Sequence, residues 1–202
     1  MFAFVNMCLL QYLTSLERKL MSKRALVVVD LQNEYLPTGK LALEGIHDAL
    51  ANAVRVIAYA RVKGDMVIHV RHESTQPDAP FFRQGTDGVQ IHESVAPVDG
   101  EPVVVKNYPN SFLKTSLKAM LDENGIKAVT VVGAMSHMCI DATTRAASDF
   151  GYQTTVVHDA CATRDLEFRG EIVPAAQVHN ALMAALAFGY ASVVSADEYL
   201  AG

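Results

Sequence analysis

AVTVVGAMSHMCIDATTRAASDFG, residues 128–151, is the stretch that decides the fold. From Ala128 to Gly133 it is apolar apart from Thr130 and shows no alternation, which is how a strand buried on both faces reads. Cys139 follows after a short turn, and the Ala-rich residues from there to Phe150 carry helical spacing and stop at Gly151. A doubly buried strand passing directly into a helix is the unit of a parallel sheet covered by helices.

The same rhythm extends outward. Ala25–Val29, Met66–Val70, Val103–Lys106, Thr154–His158 and Ala191–Val194 read as further strands, and Ile46–Lys63, Leu113–Asn124, Cys139–Gly151 and Val173–Gly189 as helices. Asn124-Gly125 and Phe188-Gly189 repeat the stop signal, and Pro174 suits an early helical position. The expected class is therefore α/β, doubly wound. The exception is Arg71 to Pro102, which has Pro and Gly but no sustained period, and a loop that long is usually functional.

The 202 residues suit one domain, expected over residues 21–202. Residues 1–20 read as an extension outside it, or as a helix used in oligomer contact, because Met21-Ser22-Lys23-Arg24 just before the first strand is a natural start. The extension has no basic leader and no small-residue cleavage site, and its apolar run is too short to span a bilayer. With 19% charged residues and a net charge of -5, the chain carries no electrostatic footprint for nucleic acid or an anionic membrane, so the expected partner is a small molecule. Three cysteines without C-x-x-C spacing suit a reducing compartment, and a cytoplasmic location is expected.

In open α/β sheets the crevice lies beyond the carboxyl ends of the strands. Asp30 ends the first strand, Lys106 the third, and Cys139 follows the fourth, so an acid, an ammonium and a thiol share one edge. A thiol at a helix start meets unpaired N–H groups and the positive dipole end, which favour thiolate. Each residue alone has an ordinary reading, as a chain turn, a solvated strand end or a small buried hydrophobe. Together they form a nucleophilic constellation.

Three segments, Val27-Val28-Val29-Asp30-Leu31-Gln32-Asn33, Val104-Val105-Lys106-Asn107-Tyr108-Pro109-Asn110-Ser111-Phe112 and Gly133-Ala134-Met135-Ser136-His137-Met138-Cys139-Ile140-Asp141-Ala142-Thr143-Thr144, resemble the isochorismatase-like cysteine hydrolase superfamily. The resemblance implies a three-layer sandwich around a parallel, Rossmann-like six-stranded sheet and a catalytic Asp30–Lys106–Cys139 triad. It also implies a cis bond at Ala134–Met135, an oxyanion hole from the N–H groups of Met135 and Cys139, and a homo-oligomer, dimer or tetramer. The implied reaction is hydrolysis of a C–N bond in a small amide, ureide or carbamoyl compound through a thioester.

Gln32, Tyr35, Phe82, Arg83 and Phe112 are the candidate substrate-binding residues. Tyr35, Phe82 and Phe112 would wall a small pocket, with Phe81 beside them, and Arg83 would hold a carboxylate. Gln32 either orients a polar substrate or ties down its own loop. Nicotinamidases of the superfamily carry an Asp-x-His metal motif, but Val67-Ile68-His69-Val70-Arg71-His72-Glu73 lacks that spacing and puts His69 and His72 on opposite strand faces. No metal and no cofactor are expected. Two alternatives stay open: vinyl ether hydrolysis of isochorismate type with Asp30 as acid, and a non-hydrolytic redox-active thiol. Nucleotide binding is disfavoured because no glycine cluster follows the first strand.

Overall fold

In the computed structural model, which describes residues 23–202, the elements run β1 (Arg24–Val29), α1 (Ile46–Lys63), β2 (Met66–His72), β3 (Val103–Lys106), α2 (Leu117–Glu123) and β4 (Ala128–Ala134). A π-helical turn (Ser136–Ile140) then leads into α3 (Asp141–Asp149), β5 (Gln153–Ala162), β6 (Leu166–Phe168), β7 (Glu171–Val173), α4 (Ala175–Gly189), β8 (Ser192–Val194) and α5 (Ala196–Ala201). The expectation for residues 1–20 lies outside the described residues.

Six strands form one parallel sheet in the order β3-β2-β1-β4-β5-β8. Successive side chains of a strand point to opposite faces, and β1 uses both. Leu26 and Val28 pack with α1 and Ala196 of α5, while Ala25, Val27 and Val29 join Leu117, Leu121, Ala147, Met183 and Leu186 on the other side. The protein is thus a three-layer α/β sandwich. Central strands are buried on both faces, and edge strand β3 alternates, with Val103 and Val105 exposed. Among the described residues no helix is long and apolar enough to cross a membrane.

Close contact between β1 and β4 depends on Gly133. A Cβ there would lie 1.9 Å from the Val29 carbonyl oxygen, and its φ of 129° is open only to glycine. Val29 pairs with Gly133 on one side and Val70 on the other, so the first strand ends in the middle of the sheet edge.

Several boundaries differ from the sequence reading. The second helix starts at Leu117 rather than Leu113, because Lys114 turns left-handed (φ 57°) and Thr115 Oγ1 donates to the Ser111 carbonyl at 2.6 Å. Pro174 caps α4 from outside, and Val173 belongs to the β6–β7 hairpin, which the sequence reading missed. Arg169 and Gly170 both have positive φ, as a two-residue hairpin turn matched to strand twist requires. The fifth strand runs on to Ala162 through a register shift against β4.

Candidate active site

Where β1 stops, Asp30 adopts a left-handed backbone (φ 53°) while its N–H donates to Val70 O at 2.9 Å. That conformation, which Asp tolerates better than most residues, releases the carboxylate from the strand's alternation. Lys106 ends β3, and its register partner across β2 is His72. Cys139 does not open an α-helix as expected. It sits inside the π-helical turn, in which Ile140 N–H reaches back five residues to Met135 O, and α3 begins only at Asp141. The Ala134–Met135 peptide is cis.

These elements bring the three side chains together out of water: Asp30 is 0%, Lys106 1% and Cys139 5% exposed. Lys106 Nζ lies 2.6 Å from Asp30 Oδ2, 3.2 Å from Cys139 Sγ and 3.0 Å from His72 Nδ1. Ligand atoms of Asp30, His72 and Cys139 lie within 4.8 Å of one another, a spacing that by itself suits a metal ion. The ammonium, however, contacts one atom of each, and a buried dication beside it would be repelled. The donor set therefore fits the lysine cation and not a resident metal.

Burial is the largest single influence on Lys106, Cys139 and Tyr35. It would lower the Lys106 ammonium, but the Asp30 carboxylate and Cys139 more than offset that and raise it, so the lysine is charged. Burial and then Asp30 push the Cys139 thiol up to about 12 against the pull of Lys106. The helix-start argument for a resting thiolate is corrected accordingly: desolvation and a carboxylate neighbour outweigh the pull of the nearby cation. Tyr35 is also raised well above the usual phenol range by burial, then by Cys139, Asp30 and Glu34, and stays neutral.

A cavity of about 590 Å³ opens over Cys139. Tyr35 and Phe82 line it, their rings edge to face at 5.2 Å, and so do Phe81, Met135, Met138 and Leu166. Gln32, Arg83 and Phe112 do not. Gln32 is fully engaged with backbone, donating to His72 O (2.9 Å) and Val89 O (2.7 Å) and accepting from His72 N–H (2.9 Å). Exposed Arg83 lines neighbouring depressions instead, and Phe112 packs against Phe150 and Tyr152. Buried Glu34, which the sequence reading passed over, ties the loops of this wall, accepting from Phe82 N–H at 2.8 Å and Lys40 N–H at 3.1 Å.

Arg164, Asp165 and Glu167, leading into and on the β6–β7 hairpin, add charge to the cavity and were also missed. The signal was the Arg169-Gly170 turn between Leu166-Glu167-Phe168 and Glu171-Ile172-Val173. Three other side chains that could bind a metal or react as thiols are engaged elsewhere. Buried His69 meets Glu101 at 3.0 Å, His92 Nδ1 accepts from Ser94 N–H, and Cys161 Sγ donates to Val157 O at 3.3 Å. His137 faces the cavity with Nδ1 held at 2.6 Å from Thr163 Oγ1.

Residues 24–171 match the sequence profile of the Isochorismatase domain. The chain is 48% identical over 176 residues to the uncharacterized isochorismatase family protein YddQ of Bacillus subtilis, covering 87% of this chain and 98% of that one. A crystal structure of a putative isochorismatase hydrolase from Oleispira antarctica superposes with a TM-score of 0.86 at 53% identity, over 89% of this chain and 96% of that one. The maleamate amidohydrolase of Pseudomonas putida is 30% identical over 156 residues, 70% of this chain and 73% of its own.

Proposed function

Because the chain belongs to the isochorismatase family of hydrolases, we propose that it is a cysteine-dependent amidohydrolase cleaving a C–N bond of a small amide, ureide or carbamoyl compound. The observation that carries this reading is the buried Lys106 ammonium held at 2.6 Å from Asp30 and 3.2 Å from Cys139, which lines the cavity. The likeness to a maleamate amidohydrolase supports it.

A thiol near 12 cannot act without a base, and the Asp30 carboxylate stands within 4.8 Å of Sγ. Asp30 takes the thiol proton as Sγ bonds to the carbonyl carbon, and Lys106 stabilises the thiolate as it forms. Backbone N–H groups of Met135 and Cys139 are the proposed donors to the oxyanion. Asp30 then returns the proton to the departing nitrogen, the C–N bond breaks, and water attacks the thioester to release acid and restore the thiol. The apolar wall of Phe81, Phe82, Met135, Met138 and Leu166 suits a carbon-rich acyl group.

Ammonia release from a panel of small amides and ureides tests the reading. Cys139→Ala and Asp30→Asn should each lose at least about a thousandfold in kcat/KM, roughly 4 kcal/mol of transition-state stabilisation. Full activity in Cys139→Ala on an amide would refute the cysteine nucleophile, and turnover of a vinyl ether such as isochorismate that needs Asp30 but survives Cys139→Ala would point instead to acid-catalysed vinyl ether chemistry.

A further inference from the structure

We propose that His72 is a positioning residue whose Nδ1 is the third acceptor holding the Lys106 ammonium between Asp30 and Cys139. An ammonium has three donor hydrogens and no acceptor. Lys106 Nζ has three such neighbours, Asp30 Oδ2 at 2.6 Å, His72 Nδ1 at 3.0 Å and Cys139 Sγ at 3.2 Å. Nζ must donate in the His72 contact, so Nδ1 is unprotonated and the ring is the neutral Nε2–H tautomer. Burial and then Lys106 lower the His72 pKa, which keeps it neutral, while Asp30 and Glu73 pull the other way.

His72 lines the cavity on one side and is held from the others. Both of its backbone groups bond the Gln32 side chain, its ring meets Phe82 edge to face at 5.1 Å, and strand register sets it opposite Lys106. Glu34 holds Phe82 in its left-handed conformation (φ 53°) by accepting its N–H. Gln32, Phe82 and Glu34 thus fix the imidazole that fixes the lysine. Without that acceptor one ammonium hydrogen is left buried and unpaired, which disfavours the charged lysine and withdraws the cation from the nascent thiolate.

The inference rests on the hydrolase reading for its catalytic meaning, but its test needs no substrate. Iodoacetamide alkylation of Cys139 is followed by peptide mass mapping between pH 6 and 10 in wild type, His72→Leu, His72→Asn and His72→Gln, with the melting temperature of each as a folding control. Asn places its Oδ1 where Nδ1 stood, whereas Gln reaches the Nε2 position. Alkylation at a given pH should slow about 10- to 150-fold in the Leu and Gln variants, the equivalent of one charge-assisted hydrogen bond. Asn should stay within about threefold of wild type by keeping that bond. Should the Leu variant not fold, the contrast of Gln against Asn carries the same decision. Wild-type rates in Leu or Gln, or Asn as slow as Gln, would overturn the role of His72. If wild type hydrolyses no amide, the proposed function fails, while the alkylation series still decides this point. On an amide that is turned over, kcat should fall in the Gln variant with KM little changed, and Asn should restore it.

Discussion

Replacing Lys106 by Met keeps the length of the side chain and removes its charge. Asp30 is 0% exposed, and neither carboxylate oxygen has a hydrogen-bond partner among the described residues beyond the 2.6 Å ion-pair contact with Nζ. The variant therefore strands a buried carboxylate. Removing one partner of a buried pair typically costs about 3–5 kcal/mol, whereas replacing both by neutral groups is far milder. With a urea slope of roughly 2 kcal/mol per molar, Lys106→Met should lower the unfolding midpoint by about 1.5–2.5 M. Lys106→Met combined with Asp30→Asn should recover at least about half of that loss, since the stranded charge is gone. Equilibrium urea unfolding of wild type, both single variants and the double variant completes the cycle. A loss below about 1 kcal/mol in Lys106→Met, or a double variant no more stable than Lys106→Met, would refute the claim that the pair is buried and mutually dependent.

Two further outcomes rest on other parts of the molecule. Gly133→Ala should cost roughly 3 kcal/mol or more in urea unfolding, because the added Cβ meets Val29 O at 1.9 Å on a backbone with φ 129°; an unchanged midpoint would contradict that contact. Burial alone would raise the Glu101 carboxyl, but Arg61, the Val98 N–H and His69 hold it at about 2 against an ordinary 4.5. A depressed carboxyl stabilises the fold above its unfolded value and loses that contribution as pH falls through the folded one. Glu101→Gln should therefore melt lower than wild type near pH 7 and converge with it toward pH 2, and a constant gap across that range would exclude this linkage.

The sheet was legible because its central strands are buried on both faces, which leaves nearly continuous apolar runs such as Ala25–Val29 and Ala128–Gly133 in the chain. The edge at which Asp30, Lys106 and Cys139 meet was legible too, since parallel strands present their carboxyl ends together. What stayed hidden depends on register and on burial by distant segments. His72 reads as a stray metal candidate until the pairing of β2 with β3 sets it opposite Lys106. Gln32 reads as a polar residue beside the site, yet its amide is used up by the backbone of His72 and Val89. Phe112 carries a motif but is buried against Tyr152 and the ring of Phe150, and Arg83 follows cavity-lining Phe82 while remaining outside the cavity. The state of the Cys139 thiol was misread for the same reason. A helix start is local and visible in sequence, whereas desolvation and a carboxylate from another strand are not.

The central claim is a thioester on Cys139, and the partition of its acyl group tests it most directly. Two amides that share an acyl group but differ in the leaving amine are hydrolysed in the presence of hydroxylamine, and the ratio of hydroxamate to acid is measured. A common thioester predicts hydroxamate in the same ratio from both substrates, because the amine has left before the acyl group is captured. No hydroxamate, or a ratio that follows the leaving amine, would contradict the account.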